Sequence, residues 1–180
     1  MGDRILDAAR TVFEQYGARR ANVDDIANAA GISRSTLYRR YPTKDDLLAA
    51  VIAREVGAFF DDLDRIAADL PPQEAVIECF AHGISIMSRI PVLGRLAQSE
   101  PDVISGLPGR GHLLLANSDR VARTLRRSGA RMPDDELHVV GELLLRIATS
   151  FMLDPAGHVD LADEQAVRDF AKRYLSPLVG

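Results

Sequence analysis

A chain of 180 residues, 47% hydrophobic and 27% charged, is long enough to bury a sizeable core and too apolar to stay disordered. No apolar run approaches the ~20 residues of a membrane span, the charged start MGDRILDAAR lacks the apolar block of a signal peptide, and a lone Cys79 permits no internal disulfide, so a cytoplasmic protein is expected. The net charge of −4 argues against nucleic acid only until the chain is divided: residues 1–45 carry eight Lys/Arg and six Asp/Glu, a balance of +2, which leaves −6 to the remainder. A basic tip on an acidic body orients itself on DNA.

Ile5, Ala8, Ala9, Val12, Phe13 and Tyr16 recur at helical spacing and predict an amphipathic helix over 3–17, ended by Gly17. Arg19 and Arg20 follow in a loop, as solvated charges or, alternatively, as phosphate contacts. Asn22 is a good N-cap with Asp25 three residues on. Val23, Ile26, Ala27 and Ala30 then give a short helix that Gly31 closes. Ser33 caps the next helix with Thr36 at its third position; Leu37 and Tyr41 face inward and Pro42 stops it. Thr43 and Asp46 form another capping pair. Helix, tight turn with glycine, helix is the helix-turn-helix signature, whose second helix enters the DNA major groove. From Ser33 to Lys44 there are four cations and no carboxylate. The outward set Arg34, Ser35, Thr36, Tyr38, Arg39 and Arg40 suits base edges and phosphates.

From Thr43 the apolar pattern Leu47, Leu48, Val51, Ile52, Val56, Phe59, Phe60, Leu63, Ile66 runs on to about Asp69 without a break. A helix of ~25 residues spans ~37 Å, enough to leave the small domain and enter the body. Further helices are expected over Gln73–Arg89, Val92–Gln98, His112–Ser128, Asp134–Leu153 and 161–176, with 99–111 irregular because it is rich in Pro and Gly. Leu114, Leu115, Val121, Ala122 and Leu125 are expected to face inward. The helix 134–153 is apolar on more than one side, so more than its own core must cover it, most economically a second copy of the chain. No strand signal and no internal repeat is present. The expected fold is all-α: a three-helix domain, residues 1–46, joined by the long helix to a helical body, residues 47–180, with about nine helices in all.

The run VDDIANAAGISRSTLYRRYPTKDDLL resembles the DNA-binding domain of the tetracycline-repressor (TetR) family of bacterial transcription regulators, over roughly residues 5–50 and with the T-L-Y-x-x-[FY]-x-[ST]-K-x-x-L core intact. Tyr41 stands where phenylalanine is commoner, and Ser35 where glycine often precedes Thr-Leu-Tyr. The resemblance implies a homodimer, paired through its last two helices, that reads a palindromic operator in double-stranded DNA. It implies Arg34, Ser35 and Arg39 at base edges, Thr36 and Tyr38 at phosphate or a thymine methyl, and Arg40 and Lys44 at phosphate. It implies repression, relieved by a small molecule.

An apolar interior among Phe60, Leu63, Phe80, Ile84, Met87, Leu96, Leu115 and Leu144 is the expected effector site, and a largely aliphatic lining suggests a hydrophobic compound. Val139, Leu143, Ile147, Phe151, Val167, Phe170 and Tyr174 are the expected dimer contacts. Cys79 and His82 lie one helical turn apart with no second pair, so no metal and no cofactor is expected. No catalytic motif is present, so an enzyme is not expected. The remaining rival is a helix-turn-helix module with a filled core and no effector.

Overall fold

The computed structural model describes residues 2–87 and 99–179, and every regular element among them is helical. The expected helix Val92–Gln98 lies outside the described residues. In chain order the elements are α1 (Gly2–Arg20), α2 (Val23–Ala30), α3 (Arg34–Arg40), α4 (Lys44–Ala67), α5 (Pro72–Met87), α6 (Pro101–Gly106), α7 (Arg110–Arg127), α8 (Asp134–Leu153) and α9 (Glu164–Phe170). A π turn (Ala171–Leu175) and a 3-10 turn (Ser176–Val179) follow.

The chain forms two compact units. The first, here the head, comprises residues 2–56 with 99–110; the second, the body, comprises 57–87 with 111–179. α4 contributes its first turns to the head and its last turns to the body.

In the head α1 packs on α2, and α2 on α3. Ile5, Phe13, Ile26, Leu37, Leu47 and Leu48 are all but fully buried, each contributing about 1.5–3 kcal/mol. The chain is helical through Tyr16, and Gly17 then takes φ 78°, which only glycine adopts without strain. One more turn follows before α2, so α1 reaches three residues beyond the expected end. Gly31 closes α2 in the left-handed conformation, its N–H donating to Ala27 O and Asn28 O. Asn22 caps α2 as expected, its Oδ1 accepting from Asp24 N–H at 3.0 Å. Ser33 Oγ accepts from Thr36 N–H at 3.2 Å. Thr43 and Asp46 form the reciprocal pair, Asp46 N–H to Thr43 Oγ1 at 3.0 Å and Thr43 N–H to Asp46 Oδ2 at 3.1 Å.

The stretch expected to be irregular contains the short helix α6. It also anchors the corner after Gly17: Glu100 Oε2 accepts from Ala18 N–H at 2.8 Å, and Asp102 pairs with Arg19.

The body core gathers Phe80, Ile84, Leu125, Leu137, Val140, Leu144, Val167 and Leu175. α7 and α8 approach closely at Gly141, where a Cβ would lie 2.7 Å from the carbonyl oxygen of Ser118. The inward stripe of α7 is Ser118, Ala122 and Leu125, all buried. Leu115, one turn earlier, is 55% exposed, which corrects its expected inward position. The last helix is shorter than the spacing suggests. Asp163 caps it, Oδ1 accepting from Gln165 N–H at 2.9 Å, and the π turn then changes the helical phase. Val167, Ala171 and Leu175 are buried, while Tyr174, within the π turn, faces solvent.

Candidate nucleic-acid interface and body cavity

α3 is a seven-residue helix held by one deeply buried anchor, Leu37, 1% exposed. Around it Arg34, Ser35, Arg39 and Arg40 are exposed, and Thr36 and Tyr38 half-buried. The first turn carries a cluster of hydroxyls: Ser33 Oγ lies 3.0 Å from Ser35 Oγ and 2.9 Å from Thr36 Oγ1. Arg34 Nη1 donates to Asp24 Oδ2 at 3.0 Å, and its guanidinium sits 5.4 Å from the centre of the Tyr38 ring. Among the described residues Arg39 and Arg40 pair with no carboxylate, and the Arg40 guanidinium lies against Gly2, where a Cβ would come within 2.7 Å of Nη2.

Lys44 has a second task that its sequence position did not reveal. Its Nζ donates to Arg19 O at 3.0 Å and Ala21 O at 3.4 Å, tying the α1–α2 corner to the start of α4. The ammonium carries three donors, and these carbonyls take two.

The body contains a cavity of about 90 Å³. Phe60, Leu63, Phe80, Ile84 and Leu144 line it, five of the eight residues that the periodicity points to. Leu115 does not, being exposed. Leu96 and the side chain of Met87 lie outside the described residues. Phe59, Cys79, Val121, Thr124, Leu125, Leu145 and Ala148 complete much of the wall. The signal for them was available in part: Phe59 lies one turn before Leu63, on the helix that carries Phe60.

At one edge of this apolar wall lies a polar network. Asp64 accepts from Arg120 Nε at 2.8 Å and Nη2 at 2.6 Å, from Arg127 at 3.0 Å, and from the Thr124 hydroxyl. Asp61 also takes Arg120 Nη2, at 2.5 Å. Burial alone would raise the Asp64 pKa. The hydrogen bonds from Thr124 and Arg120, with the charges of Arg120 and Arg127, outweigh it and hold the carboxyl below its usual range. Cys79 behaves oppositely: burial, helped by the negative charges of Asp64 and Glu78, pushes its thiol up to about 12, and Sγ donates to Leu63 O. An inert thiol suits a wall, not a nucleophile.

On α8, Val139 and Leu143 are 58% and 43% exposed, and Ile147 continues the same i, i+4 stripe half-buried. Phe151 and Phe170 are also half-buried, their ring centres 5.2 Å apart, and Tyr174 stacks beside Phe170 at 5.3 Å. Val167, expected on this outer face, is 1% exposed and belongs to the core.

The comparisons with known proteins agree with this geometry. Residues 5–51 match the model of bacterial regulatory proteins, tetR family. An HTH-type transcriptional regulator of Mycobacterium tuberculosis is 28% identical over 180 residues, covering 97% of this chain and 85% of the relative. Among solved structures, the TetR family repressor AlkX from Dietzia sp., implicated in biodegradation of n-alkanes, superposes with a TM-score of 0.75 at 22% identity, over 98% of this chain and 96% of that one. FadR from Bacillus subtilis, in complex with stearoyl-CoA, does so with a TM-score of 0.64 at 16% identity, over 95% and 97%. Residues 5–51 thus form a helix-turn-helix DNA-binding domain of the kind found in the tetR family of bacterial regulatory proteins, and over most of its length the chain is similar to transcriptional regulators.

Proposed function

We propose that the chain is a homodimeric, cytoplasmic repressor that reads a palindromic operator through α3 and is released by a small hydrophobic effector. The observation that carries the reading is α3 itself, a carboxylate-free helix with Arg34, Ser35, Arg39 and Arg40 exposed around one buried leucine. A dimer presents two such helices, so half-site spacing follows from their separation. The exposed stripe of Val139 and Leu143, with Tyr174, supports pairing through α8 and the end of the chain. Base contacts are assigned to Arg34, Ser35 and Arg39. Phosphate contacts are assigned to Arg40 and to the third donor of Lys44, with Thr36 and Tyr38 at phosphate or a thymine methyl.

The cavity supports the effector. At about 90 Å³ it is well below the ~300–1,000 Å³ of a formed ligand pocket, so a bound effector must widen it. A ligand that fits only a widened body has different affinities for two conformations, which is what release requires. α4 lines the cavity with Phe59, Phe60 and Leu63 and begins in the head, so a shift of α4 reaches the reading heads along one helix. An aliphatic or acyl compound fits the apolar wall and accords with the alkane and stearoyl-CoA context of AlkX and FadR. The small volume equally favours the rival, a regulator with no effector, and a thermal-shift screen of alkanes and acyl compounds separates the two.

The test of the central reading is selection of bound sequences from random DNA. A two-fold symmetric site is expected, and the absence of any enriched sequence overturns it. Sedimentation of the wild type should show a dimer, and Leu143→Glu a monomer.

A further inference from the structure

Arg34 differs from the other cations of α3 in being held. It is anchored at two points, by Asp24 at 3.0 Å from the first turn of α2 and by the Tyr38 ring one turn along α3. The carboxylate that holds it is itself fixed, because the Asp24 backbone N–H donates to the Asn22 cap at 3.0 Å. Folding does not require the pair: its side chains are 61% and 45% exposed, and ion pairs so exposed add little to stability. Arg39 and Arg40, on the same helix and equally cationic, have no carboxylate partner among the described residues. The pair therefore sits on the surface offered to DNA, restrains one arginine of three, and does little for the fold.

We infer that Asp24 is a specificity-determining positioning residue, which orients Arg34 toward a guanine edge and keeps it from serving as a phosphate contact. The inference rests on α3 being the reading helix. A guanidinium is a rigid fork that reads guanine O6 and N7 with two parallel N–H groups. Asp24 engages Nη1 alone, and with the Tyr38 side chain beside it this fixes the plane of the fork. Orienting the side chain before binding also removes much of the rotamer entropy otherwise lost on contact. The negative charge has a second consequence: it cancels most of the attraction of Arg34 for a phosphate, and phosphate attraction supplies nonspecific binding. One carboxylate thus strengthens reading of the correct base and weakens binding to the wrong sequence.

Asp24→Asn keeps the shape and removes the charge. Its affinity for the selected operator should fall about 10-fold, the order carried by one bidentate arginine–guanine contact. Binding to random DNA should hold or tighten slightly, and the salt slope should steepen by about one phosphate contact. Repeated site selection should lose preference at one position in each half-site, the same position that Arg34→Ala relaxes. Because Asp24 acts through Arg34, adding Asp24→Asn to Arg34→Ala should leave operator affinity unchanged. That double variant serves as the test even if Asp24→Asn alone lowers the melting temperature. Equal tightening on operator and random DNA would make the pair a general electrostatic brake and overturn the inference. So would an unchanged base preference, or a further loss in the double variant. Failure of the underlying reading looks different: the wild type itself would then enrich no sequence.

Discussion

The head and the body solve opposite problems with the same material. In the head, small and large apolar residues sit at near-zero exposure, from Ile5 and Ala9 to Ile26, Leu37 and Leu48, and a side chain caps the N-terminus of each of α2, α3 and α4. In the body, Leu63, Val121, Leu145 and Ala148 are only half-buried around a void, and an ionic network occupies its edge. A close-packed unit holds a reading helix in one pose, because interiors at crystal density do not deform continuously. A unit with a void can yield. The difference places rigidity in the head and compliance in the body.

The largest expected effect tests the packing of the head. Phe13→Ala, at 1% exposure, should cost about 3–5 kcal/mol in denaturant unfolding and abolish DNA binding at 37 °C. Leu63→Ala, on the half-buried wall of the cavity, should cost only about 1–2 kcal/mol. Equal losses would erase the distinction between the units.

A middle-sized effect concerns the edge of the cavity. Asp64→Asn removes the charge that Arg120 and Arg127 satisfy, while Arg120 keeps Asp61. At neutral pH it should cost about 1–2 kcal/mol, discounted because the pair is partly exposed. The pH dependence has a definite sign. The folded Asp64 pKa lies below its unfolded value near 3.9, so the wild-type advantage is present above that value and is lost as pH falls through the folded pKa. Wild type and variant should therefore converge in acid, and a gap that persists at pH 2 would assign the cost to shape instead of charge.

The smallest effect is the most diagnostic. Ala148→Val adds two methyl groups at the cavity and should raise stability by about 0.5–1 kcal/mol, while blunting any response to an effector. Ala27→Val, in the head at 2% exposure, should instead cost about 1–3 kcal/mol by overpacking. Thermal melts of the two side by side measure the contrast directly.

Much of the head was legible from the chain alone. The starts of α3 and α4 are set by Ser33 and Thr43, whose side chains reach only three residues, and α2 is closed by a glycine whose positive φ is a local requirement. The body was legible only in outline. Phe60, Leu63, Phe80, Ile84 and Leu144 lie at helical spacing on three different helices, and spacing alone does not reveal whether they meet around a void or fill it. Leu115 and Val167 show the limit of periodicity. Both fit an apolar stripe, yet Leu115 lies a turn outside the core and Val167, expected on the outer face, lies inside it with Ala171 and Leu175.

Sequence by itself determined the helix-turn-helix, the outward cationic face of α3 and the continuation of α4, because caps, breakers and the 3.6-residue period act over a few residues. Only the tertiary structure decided that Lys44 grips two carbonyls, that Asp24 restrains Arg34, and that Asp64 gathers Arg120, Thr124 and Arg127. Those partners lie 10 to 63 positions apart, and no periodicity in a chain encodes which distant groups its folding will bring within hydrogen-bond reach.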